Sequence, residues 1–524
     1  MWNQCVDHSS EYSLSLCSRF DTLYISAVKR DMEGSSRCTS HGYWPFLNSI
    51  TYSQPTRHKV AVMASTEQKG RNVATDLPAR KLLCSYISAR LTDALYITSL
   101  MTYVTLRALQ NLLPLLKTRI VATLYCTLLG LLTTSWFQAH VVYLHAIQMT
   151  WGKDLDVPEI FGFLHNQVTP FNIKSASGEN LYAWHVLPVE LYRNHEHKLL
   201  AQPSGFSSDI TSSLSFQLLQ DDPEAILVIH LHGAGGTVAS GYRCPNYRAL
   251  SAGHPDKIHV LTFDYRGFGR SPGSPGESGL IVDALSVVEW AINVARIPPS
   301  RILIYSQSLG TAVNMAVAEH FALQEPPVVF AGHILTAPFI DVITLVSTYS
   351  IAGTIPILGP LAKIPVLFNY LRKYINDKWP TKDRIASYVK ANEANGIKYR
   401  ITMIHAEDDY DIPWTHTPQL FWHAVNATKP MGMSFEELEL LKAKSRVDHG
   451  PAGSVVEWKT DHGIIREEIS NNLGCHEVAR SMKQAIVYTF TYVSPRHIKA
   501  PDRSQHLSGG HFGYRNVKGI LVSA

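Results

Sequence analysis

The feature that most constrains the fold is an alternation of short β-branched or aromatic runs with helical segments, which starts near Asn166. Such an alternation is typical of a mostly parallel sheet with helices on both faces. The length and spacing predict one α/β domain over residues 153–493. Its strands are predicted at residues 181–186, 226–231, 258–263, 302–305, 332–336, 401–405 and 455–459.

Two serines compete to be a nucleophile on such a sheet. Ser271 lies in GRSPG, which matches the G-x-S-x-G pattern of an exposed serine elbow. Pro272 follows it, however, and proline has no N–H with which to bind an oxyanion. The surrounding residues form a turn-rich stretch with no helical run directly behind it. Ser271 is therefore predicted not to be the nucleophile.

Ser308 lies in IYSQSLG, between a predicted buried strand and a helix predicted over residues 309–323. The next residue, Leu309, can donate its N–H to an oxyanion, and the helix N-terminus favours negative charge. Gly310 permits close packing of helix and strand. Ser306 replaces the usual glycine at the bend and is nearly the smallest substitute. Ser308 is the predicted nucleophile, on an elbow formed with Ser306 and Gly310.

Partner groups follow two other predicted strands. One strand runs into HGAGG (residues 232–236), a turn that would bring the N–H of Ala234 to the same oxyanion; an ordinary tight turn is the alternative. Another strand runs into an acidic loop at its carboxyl end, where α/β sheets carry their active sites. We choose Asp409 in this loop as the carboxylate that orients a histidine. Asp408 and Asp411 are then solvated or loop-capping acids.

Two histidines compete to be the base. His462 follows the last predicted strand, and His476 precedes a helix predicted over residues 477–493. Both keep the chain order Ser, Asp, His. The helix behind His476 would fix the loop that carries its ring, so His476 is the favoured base and His462 the alternative. The remaining histidines show no arrangement of metal ligands, so no metal is predicted.

A long apolar segment precedes the predicted sheet. From Ile120 onward no Asp, Glu, Lys or Arg occurs before Lys153, which exceeds the roughly 20 residues that span a bilayer. We predict a transmembrane helix at about residues 120–142, within a membrane-associated segment at residues 81–152. A buried helix or an interfacial helix is the alternative.

Charges near this helix predict its orientation. Arg107, Lys117 and Arg119 precede it, whereas histidine and aromatic residues follow it. By the positive-inside rule the N-terminus is cytoplasmic, and the α/β domain faces a lumen or the exterior. The apolar stretch at residues 91–116 is expected to be interfacial or to lead into the span.

Composition argues against several other classes. The net charge of +4 comes from scattered residues, so nucleic acid is not an expected partner. Seven cysteines without C-x-x-C spacing predict neither a zinc site nor a disulfide framework. Residues 1–80 and 494–524 are polar without sustained periodicity, so we expect them to be poorly ordered.

An apolar insertion follows the strand at residues 332–336. It covers about residues 339–398 and includes a long apolar run punctuated by proline and glycine. A lid that receives an acyl chain would have this composition. The alternative is a set of core-packing helices of the scaffold.

These motifs together resemble the α/β-hydrolase fold family. HGAGG, DYRGFGRSPGSPGESGLIVDALSVVEWA, SQSLGTAVNMAVAEHF, HAEDDYDIP and GCHE are similar to membrane-anchored α/β-hydrolase-domain lipases, particularly fungal ones, that act on monoacylglycerols and lysophosphatidylserine. The resemblance covers about residues 115–493. It implies nucleophile Ser308, acid Asp409 and base His476, with a membrane anchor in the endoplasmic reticulum.

The expected activity is hydrolysis of a lipid ester at a membrane through an acyl-enzyme, without a cofactor. Departures from the family pattern are Ser306, Ala406 and Glu477, and none removes a catalytic atom. An acyl-protein thioesterase or a peptidase is the enzymatic alternative, because triad geometry does not choose the leaving group. A catalytically silent membrane scaffold is the alternative of another class.

Overall fold

The computed structural model describes residues 77–470, apart from residues 349, 352–354, 357–362 and 410. Contacts divide the chain into two units, residues 1–104 and 105–524. The ends expected to be poorly ordered lie outside the described residues, except for residues 77–80, which are helical.

Twelve strands occur among the described residues. In chain order they are β1 (Val168–Lys174), β2 (Asn180–Val186), β3 (Ile226–Leu231), β4 (Ile258–Phe263), β5 (Ile302–Gln307), β6 (Gly332–Thr336), β7 (Ser350–Ile351), β8 (Ile355–Pro356), β9 (Tyr399–Ala406), β10 (Val447–Asp448), β11 (Ser454–Lys459) and β12 (Gly463–Ser470). Ten of them form one sheet in the order β1-β2-β4-β3-β5-β6-β9-β12-β11-β10, and β7 pairs with β8. The strands from β4 to β12 in this order run parallel, with antiparallel pairs at both edges. The prediction of a mostly parallel α/β sheet is confirmed.

Helices cover both faces of this sheet. In chain order the described α-helices are α1 (Leu77–Leu131), α2 (Ser135–Tyr143), α3 (Val189–Leu200), α4 (Leu214–Gln220), α5 (Arg243–Ser251), α6 (Glu277–Asn293), α7 (Leu309–Ala322), α8 (Val342–Thr348), α9 (Pro365–Leu371), α10 (Thr381–Asn395), α11 (His416–Asn426) and α12 (Phe435–Ser445). Short 3₁₀ helices lie at Pro158–Phe161, Ile210–Ser212, Pro299–Arg301, Arg372–Tyr374 and Gly450–Ala452. Along β3, Leu227 and Ile229 join one core cluster and Val228 joins another. The central strands are buried on both faces, which explains their continuous apolar sequences.

β12 was not predicted, although it pairs with β9 as the last strand of the parallel region. Its sequence GIIREEIS carries charges where a buried strand is normally apolar. Glu467 is 2% exposed and lies 2.7 Å from the Lys442 ammonium group. Arg466 pairs with Glu468 at 2.5 Å and with Glu457 at 2.9 Å. Ion pairs with each other and with Lys442 and Glu457, which lie on other elements, make these charges tolerable inside the sheet.

The apolar N-terminal segment forms the single long helix α1. Its part Ser85–Leu131 is long and apolar enough to cross a membrane, by length and composition. The helix ends at Leu131, where the hydroxyls of Thr133 and Thr134 each donate to a carbonyl of the last turn at 2.7 Å. The predicted span at residues 120–142 crosses this end. The following helix α2 instead joins the core of the sheet domain through Tyr143.

Part of the predicted lid at residues 339–398 is packed into the core and cannot act as a lid. α10 packs against α7 and α11, and its residues Ile385, Tyr388 and Val389 are buried in a core cluster. This helix therefore belongs to the scaffold, which was the alternative interpretation. In the remaining insertion, from α8 through α9, Val342 is buried in the core, whereas the other described side chains are partly buried or exposed.

Buried histidines predict loss of stability in acid. Burial lowers the pKa of His185 to about 4 and lowers the pKa values of His230 and His333 to about 3. Below about pH 6.5 the unfolded chain binds protons on these rings, while the folded protein keeps them neutral. The free energy of unfolding should therefore fall as the pH drops from 6.5 towards 4. The expected loss is up to about 1.4 kcal/mol per pH unit for each ring. Denaturant titration at pH 7 and pH 5 measures it, and equal midpoints would contradict the prediction.

Candidate active site

Ser308 joins β5 to α7 in a backbone conformation that few residues other than glycine adopt. Its φ is 52° and its ψ is −122°. Its N–H donates to the carbonyl of Thr336 at 2.9 Å, which ties the bend to the end of β6. The side chain is half-buried and lines a cavity. A strand, a strained turn and a helix thus surround Ser308 as the sequence predicted.

Two glycines allow neighbouring backbone to approach this bend. A Cβ atom on Gly310 would lie 2.2 Å from the carbonyl oxygen of Leu231, so a larger residue would force α7 away from β3. A Cβ atom on Gly233 would lie 3.2 Å from the Cβ of Ser308. The HGAGG segment at residues 232–236, here called the glycine turn, therefore packs directly against the serine.

Ser306 is fully buried and takes part in a polar network beneath the bend. Its hydroxyl donates to the carbonyl of Ile334 at 3.0 Å and accepts from the side-chain amide of Asn314 at 2.9 Å. The other end of that amide pairs with Nδ1 of His333 at 2.7 Å. Burial lowers the pKa of His333, so the ring stays neutral and its Nδ1–H can donate to the amide oxygen. The serine at this position thus has hydrogen-bond partners, a role that the sequence motif did not reveal.

Two main-chain N–H groups are available to an oxyanion at this site. Leu309 is the first residue of α7, so its N–H has no acceptor within the helix. Ala234 lies in the glycine turn and lines the same cavity as Ser308. Within the described part of the chain, the N–H of Ala234 donates to no main-chain carbonyl. The structure brings both predicted donors to the cavity that Ser308 lines.

A buried arginine supports the glycine turn, and no sequence motif pointed to it. Arg243 donates to the carbonyl of Gly233 at 3.1 Å and to the carbonyl of Gly235 at 2.7 Å, and it also bonds the carbonyl of Thr237. Burial lowers its pKa, while the nearby Asp264 opposes that effect. The guanidinium group holds three carbonyls in place and puts positive charge beside the proposed oxyanion donors.

Asp409 follows the carboxyl end of β9 and lines the same cavity as Ser308. Its side chain is 7% exposed, and its Oδ1 accepts from the N–H groups of Asp411 and Ile412, both at 2.9 Å. The side chains of Asp408 and Asp411 are exposed. The loop therefore holds one of its three aspartates in a fixed, buried position at the cavity.

The alternative base, His462, lies at the wrong end of the sheet for this role. Its carbonyl accepts from the N–H of Tyr399, the first residue of β9, whereas Asp409 follows the last residue of that strand. The eight residues of β9 separate the two positions by about 25 Å, at about 3.3 Å per residue. His462 follows β11 but precedes the unpredicted β12, which explains the mistaken placement. The favoured base, His476, lies outside the described residues.

Ser271, in the literal G-x-S-x-G match, is buried and its hydroxyl is bound to main-chain groups. Its side chain is 5% exposed, and its hydroxyl donates to the carbonyl of Asp264 at 2.6 Å. The same hydroxyl accepts from the N–H of Tyr182 at 2.9 Å. The first hydrogen bond closes the turn after β4 and the second connects that turn to β2, so Ser271 fixes a loop to the sheet.

The cavity at Ser308 has a volume of about 470 Å³. Ser308, Ala234 and Asp409 lie along it, and most of the remaining wall is apolar. The apolar wall includes Leu132, Val142, Leu345, Val346, Phe368 and Leu371. Among the described residues, no group of three or more His, Cys, Asp or Glu could hold a metal ion. The arrangement suits a nucleophile that attacks a substrate with a long apolar part.

The buried position of Ser306 leads to a prediction. Ser306→Gly should leave the labelling of the protein by a fluorophosphonate probe nearly unchanged, at a cost of about 1 kcal/mol in stability for the lost hydrogen bonds. Ser306→Leu should abolish labelling, because the fully buried site has no room for the larger side chain. Labelling rates and thermal unfolding measure both effects. Equal labelling of the two variants would show that the bend is not crowded.

Comparison with known proteins supports the fold assignment. A family model described as the Alpha/beta hydrolase family matches residues 228–491. The chain is 27% identical over 289 residues to the protein named Lysophosphatidylserine lipase ABHD12 from Danio rerio, covering 54% of this chain and 65% of the relative. It is 28% identical over 281 residues to the protein of the same name from Xenopus tropicalis, covering 53% and 63%.

The matched region thus spans just under two thirds of the length of these curated relatives. The crystal structure of an alpha-beta hydrolase from Vibrio vulnificus matches with a TM-score of 0.41 and 15% identity, over 67% of this chain and 92% of that one. Because the family model matches half of the sequence, including Ser308 and Asp409, the chain belongs to the α/β hydrolase family.

Proposed function

We propose that the protein is a membrane-anchored serine hydrolase that cleaves carboxylic esters of lipids, of the monoacylglycerol or lysophospholipid type. The observation that carries this proposal is the cavity that joins Ser308, on its strained bend, and Asp409 to an apolar wall. A serine that lines a mostly apolar cavity is suited to a substrate that combines an ester with a long acyl chain.

In the proposed reaction, Ser308 Oγ attacks the ester carbonyl while His476 accepts the hydroxyl proton. The N–H groups of Leu309 and Ala234 bind the oxyanion that forms on the carbonyl oxygen. His476 then gives the proton to the departing alcohol, and Asp409 orients the ring and stabilises its charge. Water, deprotonated by the same histidine, hydrolyses the acyl-enzyme and releases a fatty acid.

The position of β12 supports the assignment of the base to His476. β12 ends at Ser470, whose carbonyl accepts from the N–H of Glu407 at 2.9 Å. The chain therefore leaves the sheet beside the loop that carries Asp409. His476 follows soon afterwards in the sequence and keeps the order Ser, Asp, His.

The course of the cavity supports a lipid as the substrate. Leu129, in the last turn of α1, and Leu132, just beyond it, contribute to the wall of the cavity that Ser308 lines. The same helix is apolar enough to cross a membrane. A lipid at the membrane surface would thus have an apolar path from the end of this helix towards the serine. The names of the curated relatives favour a lysophospholipid such as lysophosphatidylserine within this class.

We also propose that the protein resides in the endoplasmic reticulum with its hydrolase domain in the lumen. The location follows from the resemblance to membrane-anchored lipases. The positive-inside rule no longer supports this orientation. Its basic residues, Arg107, Lys117 and Arg119, lie within α1 and do not precede the helix. Protease protection in sealed microsomes tests the orientation, and digestion of the hydrolase domain without detergent would contradict it.

The nucleophile can be tested by covalent labelling of the full-length protein in membranes. Ser308→Ala should abolish labelling by a fluorophosphonate probe, because the probe phosphonylates the catalytic hydroxyl. His476→Ala should slow the labelling by at least about 100-fold, because the serine loses its general base. Ser271→Ala and His462→Ala are the controls and should retain labelling. Persistent labelling of Ser308→Ala would place the nucleophile elsewhere, and an unlabelled wild-type protein would favour a silent scaffold.

The apolar channel predicts a dependence on acyl length. Leu345→Trp narrows the cavity wall and should lower kcat/KM for an 18-carbon lysophospholipid relative to an 8-carbon ester by about tenfold. That factor corresponds to excluding about two methylene groups, each worth about 0.8 kcal/mol. Leu323→Trp is the matched control, because Leu323 is 59% exposed and lies outside the cavity.

Hydrolysis is measured by release of free fatty acid. An equal loss of kcat/KM for long and short esters would contradict the proposal that the cavity holds the acyl chain. Faster turnover of an acyl-thioester or a peptide amide than of either ester would favour the thioesterase or peptidase alternative.

A further inference from the structure

The last residue of α2 and the chain that follows it bind the glycine turn through main-chain groups. The carbonyl of Tyr143 accepts from the N–H of Gly235 at 2.7 Å, and the carbonyl of Ile147 accepts from the N–H of Gly236 at 2.6 Å. The hydroxyl of Ser240, just past the turn, donates to the carbonyl of Gln148 at 2.5 Å. Residues 143–148, here called the clamp segment, precede the region that the family model matches, which starts at residue 228.

These hydrogen bonds fix the two peptide planes on either side of Ala234. The plane before it contains the Gly233 carbonyl, which Arg243 holds at 3.1 Å, and the N–H of Ala234, which points the opposite way in a trans peptide. The plane after it contains the N–H of Gly235, which the Tyr143 carbonyl holds at 2.7 Å. The direction of the Ala234 N–H is therefore set by two side chains of the domain and by one carbonyl of the clamp segment. The two side chains are Arg243 and His232, whose Nδ1 donates to the Gly233 carbonyl at 2.7 Å.

The side chain of Tyr143 anchors that carbonyl from the other side. Tyr143 is completely buried, and its hydroxyl donates to Oδ2 of Asp377 at 2.6 Å. The indole N–H of Trp379, which is also completely buried, lies 3.3 Å from the same hydroxyl. Burial and the neighbouring carboxylate both raise the pKa of Tyr143, so the hydroxyl keeps the proton that it donates.

We propose that Tyr143 is a positioning residue for the oxyanion donor at Ala234. Its carbonyl holds the glycine turn, and its hydroxyl locks the residue to Asp377, in the segment that follows α9. The proposed oxyanion site is thereby completed from outside the region that the family model matches, by the chain that follows α1. This inference rests on the proposed serine hydrolase activity.

The test uses full-length protein in membranes and compares two buried tyrosines. Tyr143→Phe removes the hydroxyl anchor while keeping the ring, and should lower kcat and the rate of fluorophosphonate labelling about fivefold to tenfold. KM for a lysophospholipid should stay within about twofold, because a group that acts only on the oxyanion affects the transition state. Tyr192→Phe is the matched control, because Tyr192 is 2% exposed and its hydroxyl donates to the carbonyl of His165 at 2.9 Å. It should lose comparable stability and no activity.

A second pair of variants addresses the same hydrogen bond from its acceptor. Asp377→Asn keeps an oxygen that can accept from Tyr143 and should retain at least about half of kcat, whereas Asp377→Ala should match Tyr143→Phe. This pair decides the question if Tyr143→Phe does not fold. If the wild type is labelled normally, full kcat in Tyr143→Phe would overturn the positioning role. Equal kcat in the two Asp377 variants would also overturn it. Absence of labelling in wild type would instead overturn the proposed hydrolase activity.

Discussion

The candidate site depends on the close approach of α7 to β3 at Gly310. A residue larger than glycine there would meet the carbonyl of Leu231, so the helix could not begin directly after Ser308. The unusual backbone of Ser308 costs about 1–3 kcal/mol and persists only because its surroundings determine it fully. Its N–H is bound to Thr336, and Ser306 beneath it is bound to Ile334. Packing of the sheet and helix thus supplies the energy that holds the half-buried serine in this backbone conformation beside the cavity.

Buried polar groups around this bend are the second requirement. Arg243 binds three carbonyls of the glycine turn and its continuation, and Asn314 links Ser306 to a neutral His333. Such groups would be costly if they lacked partners, so their hydrogen bonds restrict the backbone to one arrangement. Asp264, fully buried beside the same turn, has a pKa raised by burial to about 7 and accepts from the N–H of Val238 at 2.6 Å. The buried polar groups therefore fix the backbone of the glycine turn, including the peptide that carries the N–H of Ala234.

Much of this arrangement could be predicted from local sequence. The alternation of strands and helices indicated the sheet, and the missing N–H of Pro272 was enough to set Ser271 aside in favour of Ser308. Asp409 could be chosen because parallel strands carry functional residues at their carboxyl ends. Other features could not be predicted, because they depend on residues far apart in the chain. β12 was hidden by charges that are neutralised by Lys442 and other partners, and the supporting role of Arg243 has no local pattern.

The sequence by itself determined the class of fold, and it was enough to propose the nucleophile and its neighbouring N–H donor, because periodicity and the chemistry of adjacent residues are local properties. The tertiary structure decided where the apolar helix ends, how much of the insertion belongs to the scaffold and which end of the sheet carries His462. It also decided that Tyr143, the last residue of α2, binds the glycine turn. Each of these outcomes depends on hydrogen bonds, ion pairs or steric contacts between distant segments, and such contacts exist only once the chain has folded.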